Sequence, residues 1–169
     1  MPSTFEKLNL KNQSSVLVLN PPASFEPELA ALHGVTVLRD LQPLDAIEFS
    51  LAFVTTQKEV DTLAKAIAKR AKGDAVVWFA YPKGTSQRFK SEINRDTGLQ
   101  ALGKLGFEPV RAIAIDEDWS ALRFRRVEFI KTLTRANEHR MTTQGKAGRN
   151  RVLQRFRCRP YTVTRILCI

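Results

Sequence analysis

The sequence predicts an α/β fold: a mostly parallel sheet with helices on both faces and an antiparallel hairpin near its C-terminal end. Three observations predict it. Short apolar runs alternate with stretches of helical period, as parallel strands alternate with their crossovers. The runs are apolar throughout rather than at every second residue, which marks strands covered on both faces. The last two runs, Val110–Ile115 and Ala121–Val127, are joined by Asp116-Glu117-Asp118-Trp119-Ser120, which is too short for a parallel crossover. With 169 residues and 43% hydrophobic content, the chain suits a single domain. Such a domain buries roughly 70% of its unfolded surface.

The first strand is Ser14–Asn20, bounded by Pro21-Pro22. Ser24 and Pro27 open a short helix carrying Leu29 and Leu32, and Gly34 stops it. Val35–Arg39 and Ile47–Val54 are the second and third strands. Thr56 and Glu59 have capping-box spacing, in which hydroxyl and carboxylate each satisfy an amide of the first helical turn. Val60, Leu63, Ala64, Ile67, Ala68 and Ala71 follow on one face of that helix, and Gly73 is its expected stop. Ala75–Tyr81 has the composition of a central strand, and Leu99, Leu102, Leu105 and Gly106 mark a further helix. The expected sheet order is second, first, third, fourth, sixth, fifth, with the sixth strand alone antiparallel.

The net charge of +10 is unevenly spread: residues 131–169 carry +9 and residues 1–130 only +1. The expected organisation is therefore a polar N-terminal segment (1–13), an α/β domain (14–130) and a basic C-terminal tail (131–169). Such a tail supplies weak, non-specific affinity for nucleic acid, or it is a solvated appendage. From Arg149 onward the composition changes abruptly, with six Arg and no Lys, Asp or Glu, and residues 145–169 are expected to be dispensable for folding. Cys158 and Cys168 both lie in the tail and offer neither a zinc site nor a disulfide framework. No apolar run approaches the roughly 18 residues of a membrane span, and Met1–Gln13 lacks the apolar stretch of a signal peptide. A soluble, cytoplasmic protein with no membrane partner is the expectation.

Strand, helix, apolar strand after Lys72-Gly73-Asp74, helix ending in Gly106-Phe107 and a terminal hairpin resemble the second half of a class I methyltransferase. The segments Trp78-Phe79-Ala80-Tyr81-Pro82-Lys83-Gly84-Thr85-Ser86 and Asp116-Glu117-Asp118-Trp119-Ser120 more closely resemble a small bacterial family of unknown function. Its members carry a Trp-containing strand ending in a Pro-Lys-x-x-Ser turn, then a Trp-Ser strand. That resemblance spans residues 14–127 and implies a Rossmann-like fold without implying an activity.

A methyltransferase needs a glycine-rich turn after its first strand, where S-adenosylmethionine packs against bare backbone. Here that turn reads Asn20-Pro21-Pro22-Ala23-Ser24-Phe25, with no glycine and two prolines that withhold amide donors. The same lack argues against a dinucleotide fingerprint or a P-loop. Asn20-Pro21-Pro22 is similar to the Asn-Pro-Pro-aromatic motif of amino-group methyltransferases. That motif follows the fourth strand there, and Ala23 stands here where the aromatic ring should be, so the segment reads as a rigid turn. Asp40 reads as a turn residue.

Lys83, Thr85 and Ser86 follow a central strand at the sheet edge where open α/β folds bind ligands. With Asn20 facing them, they form a candidate anion site anchored by Lys83; otherwise Thr85 or Ser86 caps a following helix. Asp116, Glu117 and Asp118 read as a solvated hairpin turn rather than a cation site, with Trp119 packed beneath. His33 and His139 suggest neither a triad nor a metal site. The sequence predicts no catalytic residue, cofactor or metal. A non-catalytic module that binds a small anionic ligand or a protein partner is the first reading. A divergent S-adenosylmethionine-dependent methyltransferase and a nucleic-acid-associated protein acting through its tail are the alternatives.

Overall fold

The computed structural model describes residues 1–42, 44–132 and 140–143. Its centre is one six-stranded sheet in the order β2-β1-β3-β4-β6-β5. The strands are β1 (Ser15–Leu19), β2 (Thr36–Leu38), β3 (Ile47–Phe53), β4 (Ala71–Pro82), β5 (Phe107–Ala114) and β6 (Trp119–Arg126). β1, β2, β3 and β4 pair in parallel, and β6 is antiparallel to both β4 and β5. Order and directions agree with expectation. A hairpin must place its two strands side by side, and the apolar, two-sided β4 needs a partner on its free edge.

Two apolar layers cover the sheet. α3 (Gln57–Arg70) and α4 (Gln100–Lys104) lie on one face, over Leu17, Leu19, Ala52, Val77, Phe79, Leu122 and Phe124. α3 starts at the expected capping box: Thr56 accepts from the Glu59 N–H, and the Glu59 carboxylate accepts from the N–H groups of Thr55 and Thr56. Val60, Ala64 and Ile67 are its buried stripe.

α3 ends at Arg70, before the expected Gly73 stop, and β4 begins at once. Ile47 pairs with Ala71 and Phe49 with Val76, so three extra residues of β4 bulge outward between these pairs. Gly73 supplies the positive φ (58°) that this bulge needs. The bulge carries Asp74 to Arg125 of β6, whose Nε donates to Asp74 Oδ1 at 2.6 Å.

The opposite face is covered by α1 (Thr4–Lys7), a 3-10 turn (Ala23–Phe25) and α2 (Glu26–Ala30). The first 13 residues, polar by composition, therefore contribute to the core. Ser3 and Glu6 form a second capping box, Phe5 and Leu8 are buried, and the buried Trp78 donates its indole N–H to the Leu8 carbonyl at 2.8 Å.

The packed structure also continues beyond residue 130. Glu108, 1% exposed, accepts from the N–H groups of Met141 and Thr142 and from the Thr142 hydroxyl. Residues 140–143 are thereby clipped to α4 and β5. Cys158, Cys168, His139 and the arginine-rich stretch from Arg149 onward lie outside the described residues. No helix among the described residues is long and apolar enough to cross a membrane.

Candidate functional site

At the C-terminal ends of β1, β3 and β4, three loops converge: Asn20 to Phe25, Lys83 to Leu99, and the β5–β6 turn from Ile115 to Asp118. Asn20 takes a positive φ (51°), which Asn tolerates because its short amide can bond locally. Pro22 then leads directly into the 3-10 turn, and its carbonyl accepts from the Phe25 N–H at 2.9 Å. The expected helix start at Ser24 is therefore a 3-10 turn with no side-chain cap. Phe25 is buried beneath this turn, its ring 5.0 Å from Phe53 and 5.7 Å from Phe5. Phe53 in turn meets Trp119 edge-on at 5.1 Å, and Phe89 lies 5.2 Å from Trp119. An aromatic floor thus lies under all three loops.

Asp116 joins the loops. Its Oδ1 accepts from the N–H groups of Asp118 and Trp119, each at 2.8 Å, and its Oδ2 accepts from the Ser24 hydroxyl at 3.4 Å. Its carbonyl accepts from Lys83 Nζ at 2.5 Å. Asp118 is 7% exposed, so the reading of a solvated acidic turn does not hold for it. Its Oδ1 accepts from the Ser86 hydroxyl at 2.8 Å, and its Oδ2 pairs with Arg88 at 2.6 Å. Turn geometry explains both: the Asp-x-Asp spacing lets the first carboxylate cap the turn while the second is directed back across β4.

Of the four expected site residues, Lys83 and Ser86 both bond to this hairpin, Thr85 is exposed between them in sequence, and Asn20 is exposed at the end of β1, two strands away from β4. No helix follows Ser86. Its hydroxyl accepts from the Phe89 N–H at 3.1 Å within an irregular segment that lasts until α4 begins at Gln100. Loops of this length without regular structure are uncommon in compact domains and frequently bind ligands. The segment is anchored at Thr55, whose carbonyl accepts from the Glu92 N–H at 3.0 Å, and by the buried Ile93. Sequence reasoning missed Arg88, Asp116 and Asp118 as its braces; the signal was the repeated Asp immediately before a Trp-initiated strand. Among the described residues no group of three or more His, Cys, Asp or Glu could hold a metal ion. The junction thus sets Lys83 and Arg88 against the carboxylates of Asp116, Glu117 and Asp118, with the hydroxyls of Ser24 and Ser86 between them and an aromatic floor beneath.

No family model matches the sequence, and no curated protein matches it. Solved structures do match. A SAM-dependent methyltransferase from Aquifex aeolicus aligns over 73% of this chain and 87% of its own, with 14% identity and a TM-score of 0.52. The fibrillarin pre-rRNA processing protein of Methanococcus jannaschii aligns over 69% of this chain and 67% of its own, with 13% identity and a TM-score of 0.46. N-methyltransferase NodS from Bradyrhizobium japonicum aligns over 72% and 91%, with 14% identity and a TM-score of 0.42. At 14% identity the first of these likenesses shows the fold: a Rossmann-like α/β domain similar to that of a SAM-dependent methyltransferase.

Proposed function

We propose that this chain is a cytoplasmic binding module for a small anionic ligand, built on a methyltransferase-like fold and without methyl-transfer activity of its own. The observation that carries the reading is the turn after β1. It holds two prolines and no glycine, and the buried Phe25 ring packs directly beneath it against Phe53. A cofactor that must lie against bare backbone meets proline rings there and lacks the two amides that proline withholds. Beside this closed turn, Lys83 spends one of its three N–H donors on Asp116. The remaining donors, with Asn20, Thr85 and Ser86, line the mouth of the three-loop junction, and Lys83 is the anion anchor.

A thermal-shift screen against S-adenosylmethionine, nucleotides and phosphorylated metabolites tests this. Stabilisation by a phosphorylated compound, lost in Lys83→Ala, is the expected result; stabilisation unchanged in that variant removes Lys83 from the site. The methyltransferase-like fold favours a second reading, a divergent methyltransferase. Saturable calorimetric binding of S-adenosylmethionine with a Kd below about 100 μM, or ~5.5 kcal/mol, establishes that reading and overturns the first.

A further inference from the structure

The opposite end of β6 carries a charge arrangement that the loop junction does not explain. Arg111 of β5 and Arg123 of β6 are direct partners in the antiparallel ladder, so their side chains leave the same face of the sheet. Arg125, two residues on, shares that face. Like charges placed directly opposite one another on neighbouring strands destabilise a sheet. Among the described residues, the one ion pair on this patch joins Asp74 and Arg125. Arg111 and Arg123 have no hydrogen bond or ion pair with any described residue, and Arg123 Nε is buried without a partner. Burial, and after it the charge of Arg125, hold the Arg123 guanidinium below its ordinary pKa; Arg111 adds to this and Asp74 opposes it. A half-buried guanidinium that lacks an acceptor, with Arg111 opposite it and the Asp74-paired Arg125 beside it, is costly to fold.

We propose that Arg111, Arg123 and Arg125 form a second anion site on the β5–β6 face, which takes a compact, multiply charged phosphate group such as a diphosphate. The size of the patch decides between a compact and an extended anion. The next ladder pair on the same face, Ile113 with Ala121, is apolar, and the other end is closed by two carboxylates, Asp74 on Arg125 and Glu108 as the ladder partner of Arg125. The cations therefore span one cross-strand pair and its diagonal, roughly 5–8 Å. That matches a di- or triphosphate group and leaves no track for a long phosphodiester backbone. Guanidinium forks suit phosphate oxygens bidentately, and the half-buried Arg123 guanidinium, which has no acceptor among the described residues, gains one at its accessible edge when the anion arrives.

The test is a titration of the full chain with inorganic pyrophosphate against sodium chloride at matched ionic strength. It is read by the arginine Nε–H resonances and by thermal shift. The Arg123 Nε–H signal is expected to move saturably with pyrophosphate and not with chloride. Arg111→Gln, an exposed and therefore tolerated change, should melt higher than wild type in the absence of anion, because a like-charge contact is gone. It should also bind pyrophosphate at least ~10-fold more weakly, as loss of a charge-assisted hydrogen bond implies. Lys58→Gln, which removes one positive charge from the first turn of α3, should leave the pyrophosphate response intact. Equal responses of wild type, Arg111→Gln and Lys58→Gln, or an Arg123 signal that follows ionic strength alone, overturn the proposal. So does Arg111-dependent binding of a single-stranded 12-mer oligonucleotide without any response to pyrophosphate.

Discussion

Asp118 shows how much of the loop junction depends on one carboxylate. It holds Ser86 and Arg88 of the β4 loop onto the hairpin, and at 7% exposure it has little water to turn to if those partners leave. Asp118→Asn should cost about 1–3 kcal/mol in urea unfolding, the range for leaving buried polar partners badly matched. The exposed Arg88 end of the pair contributes little of that. Unchanged stability would show that the loop is held elsewhere. Glu59 gives a pH dependence of definite sign. Burial works against its charge, but hydrogen bonds from the N–H groups of Thr55 and Thr56 and from their hydroxyls prevail and hold its pKa below the ordinary carboxylate value. A depressed pKa contributes stability above the unfolded-state value of about 4.3, and that contribution is lost as pH falls through the folded value. Urea midpoints measured from pH 6 down to pH 3 should therefore fall more steeply for wild type than for Glu59→Gln. Parallel curves would remove Glu59 from the acid response.

Two elements of the fold lay below what hydrophobic period can detect. α1 is four residues long, so no helical stripe can repeat in it, yet Ser3-x-x-Glu6 spells the same capping box that made α3 legible. Phe5→Ala should cost about 3–5 kcal/mol, the range for emptying a buried aromatic site, read as a lowered Tm. A near-neutral result would mean that α1 is a passenger on the sheet. The clip at residues 140–143 was hidden for another reason: Glu108 looks like an ordinary strand acid, and its partners lie about 33 residues away. Gly103 reports on the clip, because a Cβ there would sit 2.5 Å from Met141 Cβ and 2.6 Å from the Met141 carbonyl oxygen. Gly103→Ala should displace the segment and speed tryptic cleavage after the otherwise buried Arg140; cleavage at the wild-type rate would contradict this. Strands, by contrast, were plain in sequence. Runs such as Ala75–Tyr81 are apolar on both faces, and the short Asp116–Ser120 connector left the hairpin no other geometry. Of the candidate site, Lys83 and Ser86 were legible from their place after a central strand. Arg88, Asp116 and Asp118 were not, because long-range hydrogen bonds leave no local pattern.

Across the whole molecule, charge is unevenly divided, with +1 on residues 1–130 and +9 on residues 131–169. We expect a chain ending at Gly145, which keeps Glu108's partners, to melt cooperatively and to lose non-specific binding to DNA or RNA. In the full chain that binding should fall steeply with salt, as counterion release requires. Loss of the cooperative melt on truncation would show that the tail belongs to the core. Because β6 lies between β4 and β5, the order of synthesis and the order of strand pairing disagree. A ribosome finishes β4 at Pro82, but the strand that covers its free edge is complete only at Arg126. At roughly 5–20 residues per second, Val77–Pro82 waits for several seconds with a bare, apolar edge. Such an edge is a template for a neighbouring chain. A translation pause between Pro82 and Arg126 prolongs that hazard, so a nascent-chain chaperone has its most useful window on this protein between those two residues.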